Sequence, residues 1–186
     1  QCLAPVAAFA DDIVELEING GTAVKWSPPI PFVKNVVWRA FRRMGFKATL
    51  KTLKEGFYPK GGGLVEAVIE PVNSLKPIEI LNQREIKLIK GISLCGKLPK
   101  HVAERQASSA SSELIDSGIE TDIDARLEKG EREPLSPGSM ITLWAVGEPE
   151  IFMGADALGE RGKPAERVGR EAATNLLKQL RTGMGV

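Results

Sequence analysis

Residues 55–72 read EGFYPKGGGLVEAVIEPV, and this stretch decides how the chain around it folds. Three consecutive glycines at 61–63 permit positive φ angles and close backbone approach, so the chain can bend there. The residues that follow, 64–70, alternate and include β-branched side chains, which is typical of a strand. Because residues 47–53 also have an extended pattern, the glycine-rich stretch is predicted to connect the two strands of a hairpin.

The same glycines could instead form a concavity of backbone amides that binds an anion, with Lys60 beside them. A phosphate-binding loop usually runs from a strand into the N-terminus of a helix, whereas this one runs into a strand. The pattern therefore favours a structural bend, and contact with a phosphate is the alternative.

Composition limits the function classes only broadly. The 186 residues suffice for one sizeable domain or two small ones, and 42% apolar with 26% charged residues is ordinary globular composition. The net charge of +1 gives no general basic field for nucleic acid. Cys2 and Cys95 form no metal or disulfide pattern, which favours a reducing, cytoplasmic location. Since no apolar run approaches roughly 18 residues, no membrane partner is expected.

Apolar periodicity predicts a strand, a helix and a hairpin in the first part of the chain. The helix begins near Pro31 and ends at Gly45. Its apolar face is formed by Val33, Val36, Val37, Ala40, Phe41 and Met44. After a shift in composition at 71–77, strands are predicted over 85–94, 121–127, 140–146 and from Ile151, and helices over 99–117 and 164–181.

Two features could carry chemistry in the second part of the chain. His101 is the only histidine and could act as a nucleophile or general base, but the start of a helix commonly holds a polar residue, so a structural role is favoured. The run 154–164 looks like a phosphate loop, yet Ala157 replaces its first glycine and Pro164 replaces the hydroxyl residue that would hold magnesium. A plain loop leading into a helix is favoured.

Basic and aromatic residues near the first helix are the remaining candidates. Arg39, Arg42 and Arg43 lie off its apolar face and suit either a solvated surface or phosphate contact. Trp26 and Trp38 could stack on bases or belong to a core.

Five segments match one known family in order and approximate spacing. They are GGT at 20–22 with SPPI at 27–30, GFYPKGGG at 56–63, LPKHVAER at 98–105, LGERG at 158–162 and AERV at 165–168. Over essentially the whole chain, these segments resemble the RNA 3′-terminal phosphate cyclase family.

The resemblance implies an α/β (α+β) fold. The family has repeated units of two helices on a four-stranded sheet, akin to enolpyruvyl transferases, with a small inserted α/β domain. Residues 1–75 and 154–186 are expected to form part of the repeat domain, and residues 76–153 the insert. The helix from Pro164 is then expected to pack beside the helix from Pro31.

The resemblance also implies an enzyme, a ligase that uses ATP and a divalent metal, magnesium or manganese. It converts an RNA 3′-phosphate end to a 2′,3′-cyclic phosphate. A histidine is adenylylated first, AMP passes to the RNA phosphate, and the 2′-hydroxyl then displaces it. Carried over residue by residue, Gln1 and Pro28 match nucleotide contacts, with Pro28 packing against adenine.

No catalytic residue or metal ligand matches. Because His101 falls in the insert, the nucleophilic histidine is expected beyond Val186, and the chain is expected to be a central fragment that is inactive alone. A fragment of a non-catalytic, cyclase-like ribosome biogenesis protein is the alternative.

Overall fold

The chain forms two sheets, each with its own helices, in a computed structural model that describes residues 2–79, 85–148 and 150–181. The elements are α1 (Leu3–Ala7), β1 (Val14–Gly20), α2 (Ile30–Phe32), α3 (Trp38–Arg43), β2 (Lys47–Lys54), β3 (Gly63–Glu70), β4 (Glu85–Gly96), α4 (His101–Ile115), β5 (Thr121–Glu128), β6 (Gly138–Glu148), β7 (Gly154–Leu158) and α5 (Ala165–Arg181). A π-helical turn, Val33–Val37, joins α2 to α3. This arrangement confirms the predicted mixed α/β fold class.

The first unit is an antiparallel sheet in the order β1-β3-β2. The predicted hairpin is present, with Leu50 of β2 opposite Ala67 of β3. Val65, Ala67 and Ile69 occupy alternate positions of β3, so they lie on one face of the sheet, where they are buried. Trp38 packs edge-to-face against Phe46 in the same core, with 5.4 Å between ring centroids. Of the two tryptophans left open by the sequence, this one is structural.

The glycine-rich connection bends as predicted. Gly61 and Gly62 have φ angles of 61° and 68°, in the left-handed region that favours glycine. The Gly61 amide donates to the Phe57 carbonyl at 2.9 Å, and the Lys60 amide donates to Ser136 Oγ at 3.1 Å. Because protein oxygens already accept hydrogen bonds from the Gly61 and Lys60 amides, these two amides are not available to bind an anion.

The second unit is a four-stranded sheet in the order β5-β4-β6-β7. β4 and β5 run parallel and are connected through α4, while the other neighbours are antiparallel. Helices α4 and α5 cover one face of this sheet. The core between them contains Ile89, Leu114, Ile141, Leu143, Val168, Ala172 and Leu176.

The boundary of the second unit differs from the predicted division into 76–153 and a returning segment 154–186. β7 pairs with β6, and α5 buries Val168 and Leu176 against α4 and the second sheet. Residues 154–181 therefore complete the second unit. The expectation that α5 packs beside the helix from Pro31 is wrong, because α5 packs against the second sheet. The apolar stripe of a helix shows that the helix is covered, but it does not identify the sheet that covers it.

The two units meet through a small apolar cluster of Ala23, Phe57, Leu94 and Met140. The Phe57 ring lies directly over Gly138, where a side chain would have no room. This contact places the loops of the first unit next to the start of β6.

Within the described part of the chain, no helix has the length and apolar character that crossing a membrane requires.

Candidate functional site

The loop that carries Pro28 lies beside the glycine-rich connection. The amides of Thr22 and Ala23 both donate to the Gly56 carbonyl, at 3.0 and 3.2 Å, and Ala23 forms an isolated bridge with Phe57. Pro28 is half-buried and stands two residues before α2. Gln1, the other predicted nucleotide contact, lies outside the described residues.

Trp26 lies two residues before Pro28 and is fully exposed, at 100% of its accessible surface. Its φ angle is 70°, in a region that bulky side chains rarely adopt. The preceding Lys25 reaches the second unit, where its Nζ lies 3.0 Å from the Glu160 carboxylate. The loop is therefore tied to the second unit at one residue and projects an aromatic ring into solvent at the next.

A buried carboxyl group that the sequence analysis did not single out lies under this loop. Glu55 is only 2% exposed, and it accepts a hydrogen bond from Thr22 Oγ1. Thr22 Oγ1 in turn accepts from the Gly56 amide at 2.8 Å. Burial raises the pKa of the Glu55 carboxyl, the Thr22 bond opposes that rise, and nearby Glu128 and Arg132 have smaller, opposite effects.

An open cleft of about 750 Å³ separates the first unit from the uncovered face of the second sheet. Its charged lining residues are Lys34, Lys51, Lys90, Arg126, Arg132, Glu55, Asp122, Asp124 and Glu128. Several of these charges are paired: Arg132 binds Glu128 at 2.6 and 3.2 Å, and Arg126 binds Asp124 at 2.5 Å. The cleft is therefore mixed in sign, not a basic groove.

The arginines of the first helix join the two units. Arg39 donates to the Ala145 carbonyl and to Glu150, both at 3.4 Å, and Arg43 lies 3.6 Å from Glu150. Arg42 stays exposed. Two of the three arginines are thus held by partners within the protein.

Neither His101 nor the run 154–164, the two candidates for chemistry in the second unit, lies in an arrangement that indicates catalysis or phosphate binding. His101 is exposed at the start of α4, and its imidazole makes no hydrogen bond or ion pair with the residues that the structure describes. Lys163 donates to the Leu158 carbonyl at 3.2 Å and lies 2.7 Å from Glu171, so the run 154–164 is a loop leading into α5. In residues 2–79, 85–148 and 150–181, no three His, Cys, Asp or Glu side chains are placed to hold a metal ion.

Comparison with known proteins fits this arrangement. A family model described as the insert domain of RNA 3′-terminal phosphate cyclase (RTC) matches residues 81–181, the span from β4 to α5. A protein named RNA 3′-terminal phosphate cyclase from Methanopyrus kandleri is 48% identical over 189 residues, covering 100% of this chain and 53% of its own length. Proteins of the same name from Ignicoccus hospitalis and Pyrococcus abyssi are 46% and 43% identical, each covering 98% of this chain and 52% of its own length.

Fold and matches together define an α/β protein in which an insert domain follows a helix-and-sheet unit. The chain belongs to the RNA 3′-terminal phosphate cyclase family, which confirms the resemblance found in its sequence. It spans about half the length of the curated relatives it matches. The matched insert includes β7 and α5, in agreement with the second sheet.

Proposed function

We propose that the chain is part of an ATP-dependent RNA 3′-terminal phosphate cyclase, which converts an RNA 3′-phosphate to a 2′,3′-cyclic phosphate. The observation that carries this proposal is the identity of 43 to 48% with three proteins of that name, over 98% or more of the chain. The partners are then an RNA 3′-phosphate end and ATP, and the expected location is the cytoplasm.

The chemistry needs activation, because an oxygen of a phosphate monoester leaves poorly. A histidine attacks the α-phosphorus of ATP and releases pyrophosphate. The RNA 3′-phosphate then takes the AMP group from that histidine. Finally the neighbouring 2′-hydroxyl attacks the RNA phosphorus, loses its proton and expels AMP, which closes the cyclic ester.

Two residues of the chain are proposed to contact the nucleotide. Pro28, half-buried two residues before α2, is proposed to pack against the adenine, and Gln1 is proposed as a second contact. A divalent metal would offset phosphate charge. The described part of the chain holds no cluster of three His, Cys, Asp or Glu side chains for such an ion.

The nucleophilic histidine is proposed to belong to a part of the parent protein outside these 186 residues. His101 is the only histidine of the chain, and it lies in the matched insert domain. A parent without such a histidine would instead be a non-catalytic relative involved in ribosome biogenesis. The cyclase names of the three relatives favour the enzyme.

Labelling with ATP radioactive at its α-phosphate tests this assignment. The parent protein should acquire acid-labile AMP on a histidine, whereas the 186-residue chain should acquire none. His101→Ala in the parent should leave the labelling unchanged. Label on His101, or a parent that is never labelled, would contradict the proposal.

A further inference from the structure

We propose that Trp26 and Tyr58 form a stacking platform for unpaired RNA bases, with Lys60 and Arg161 placed to contact the strand's phosphates. This surface rests on the proposed function, since it assigns to the RNA a specific place on the chain. It is separate from the mixed-charge cleft, whose lining includes none of these four residues.

Trp26 supplies the first observation. A tryptophan that is 100% exposed forgoes the burial that usually stabilises this side chain. Its backbone also has a φ angle of 70°, which is unfavourable for a bulky residue. Exposure and strain at the same residue are a cost to folding that no packing contact within the described residues offsets.

Tyr58 supplies the second aromatic ring. It is 81% exposed and follows Phe57, the residue that bridges Ala23. Since three residues span at most about 11 Å and bridged Cα atoms lie about 5 Å apart, the Cα atoms of Trp26 and Tyr58 are within about 20 Å. Two exposed rings on neighbouring loops at this range can be reached by one short single strand.

Cations are interleaved with these rings. Lys25 precedes Trp26 and Lys60 follows Tyr58 by two positions, and both are exposed. Arg161 is exposed on the loop whose Glu160 binds Lys25. Among the described residues, neither Lys60 nor Arg161 takes part in an ion pair, so both remain available to phosphates.

This combination favours single-stranded RNA over other ligands. Aromatic rings stack on any base, and adjacent cations follow the backbone, which together are the features of single-strand binding surfaces.

Binding of a fluorescein-labelled single-stranded RNA with a 3′-phosphate to the 186-residue chain, followed by anisotropy at low salt, tests the platform. Trp26→Ala and Tyr58→Ala should each raise Kd about fivefold or more, and Trp26→Phe should keep most of the affinity. Lys60→Ala should reduce the salt dependence of binding by roughly the 0.7 expected for one phosphate contact. Phe9→Ala, an exposed aromatic elsewhere, and Lys178→Ala, an exposed lysine of α5, should bind like the unsubstituted chain.

Two results would overturn the platform: no RNA binding by the unsubstituted chain at low salt, or unchanged Kd for both aromatic variants. ATP provides a third test: fluorescence quenching by ATP but not by RNA, if it is lost in Trp26→Phe, would assign the ring to the nucleotide instead. A parent that binds RNA through Trp26 but never cyclises it would support the platform and contradict the proposed function. The two proposals can therefore fail separately.

Discussion

At the scale of the residue, the bend of the hairpin depends on the absence of a side chain at Gly62. Its φ of 68° favours glycine, and the Leu135 side chain occupies the space that a Cβ atom would need. Gly62→Ala should therefore lower the free energy of unfolding by about 1 kcal/mol or more, measured by urea denaturation.

Gly118 offers the matched control for that substitution. Its φ is 80°, but nothing lies within 4 Å of a Cβ built there. Gly118→Ala therefore measures backbone strain without a clash, and it should cost less than Gly62→Ala. Equal costs would show that Leu135 moves aside freely, and an unchanged unfolding midpoint for Gly62→Ala would contradict the strain itself.

The buried Glu55 predicts a pH dependence of stability. Its pKa is raised in the folded chain, so the folded state binds the proton more tightly than the unfolded state does. The contribution to stability is then fully present below the ordinary value of about 4.5 and is lost as pH rises through the folded pKa.

Glu55→Gln tests the direction of this pH dependence, because the amide oxygen can still accept a hydrogen bond from Thr22 but the side chain does not ionise. Urea denaturation across pH should show the variant gaining stability relative to the unsubstituted chain as pH rises above about 4.5. Glu66→Gln, the same substitution at a half-exposed glutamate of β3, is the control for the chemical change itself. A Glu55→Gln difference that is constant with pH, or that reverses, would contradict the assignment.

At the scale of the element, α4 and α5 pack closely because small and polar residues line their contact. Gly169 of α5 lies against the backbone carbonyl of Gln106, a fully buried residue of α4. Gln106 Nε2 donates to Ser139 Oγ at 2.8 Å, and Ser109 Oγ donates to the Glu166 carbonyl at 2.9 Å. Ser109 thus lies in the contact between the helices, whereas Ser108 and Ser112 of the same helix are exposed.

Gly169→Ala should force these two helices apart. Because the new methyl group would meet backbone atoms that cannot rotate away, we expect a loss of roughly 1–3 kcal/mol in unfolding free energy. Asn175→Ala, at an exposed position of the same helix, should stay within about 0.5 kcal/mol. A near-neutral Gly169→Ala in thermal and urea denaturation would mean that the helices are not in fixed contact.

Local sequence patterns predicted most helices and strands, because the formation of each depends mainly on residues that are close in sequence. The hairpin around residues 55–72 follows from alternation and glycine chemistry, and the helices near α4 and α5 follow from their apolar spacing. The assignment of β7 and α5 to the second sheet was missed, because strand pairing depends on contacts distant in sequence.

The candidate site was less predictable than the fold. Pro28 came from the family resemblance alone, and Gln1 stays a prediction. Sequence could not separate exposed Trp26 from buried Trp38, since both flank the same loop-and-helix region. The burial of Glu55 was missed because a glutamate beside glycines and aromatics is usually a surface residue.

At the scale of the whole molecule, the second unit has a core of its own, bounded by α4, α5 and one face of its sheet. Residues 81–181 produced alone should therefore unfold cooperatively and keep helical circular dichroism. Residues 76–153 alone should not, because they lack β7 and α5, which supply Val168, Ala172 and Leu176 to that core. Cooperative folding of the shorter piece would contradict the division described here.

Cyclisation itself tests the account most directly. The parent protein is incubated with ATP, magnesium or manganese, and an RNA that ends in a 3′-phosphate, and phosphatase then removes any unreacted terminal phosphate. A phosphatase-resistant 2′,3′-cyclic end that forms only with ATP is the predicted result, while the 186-residue chain alone should give none. A parent that leaves every end sensitive to phosphatase, or the chain alone forming the cyclic product, would contradict the account.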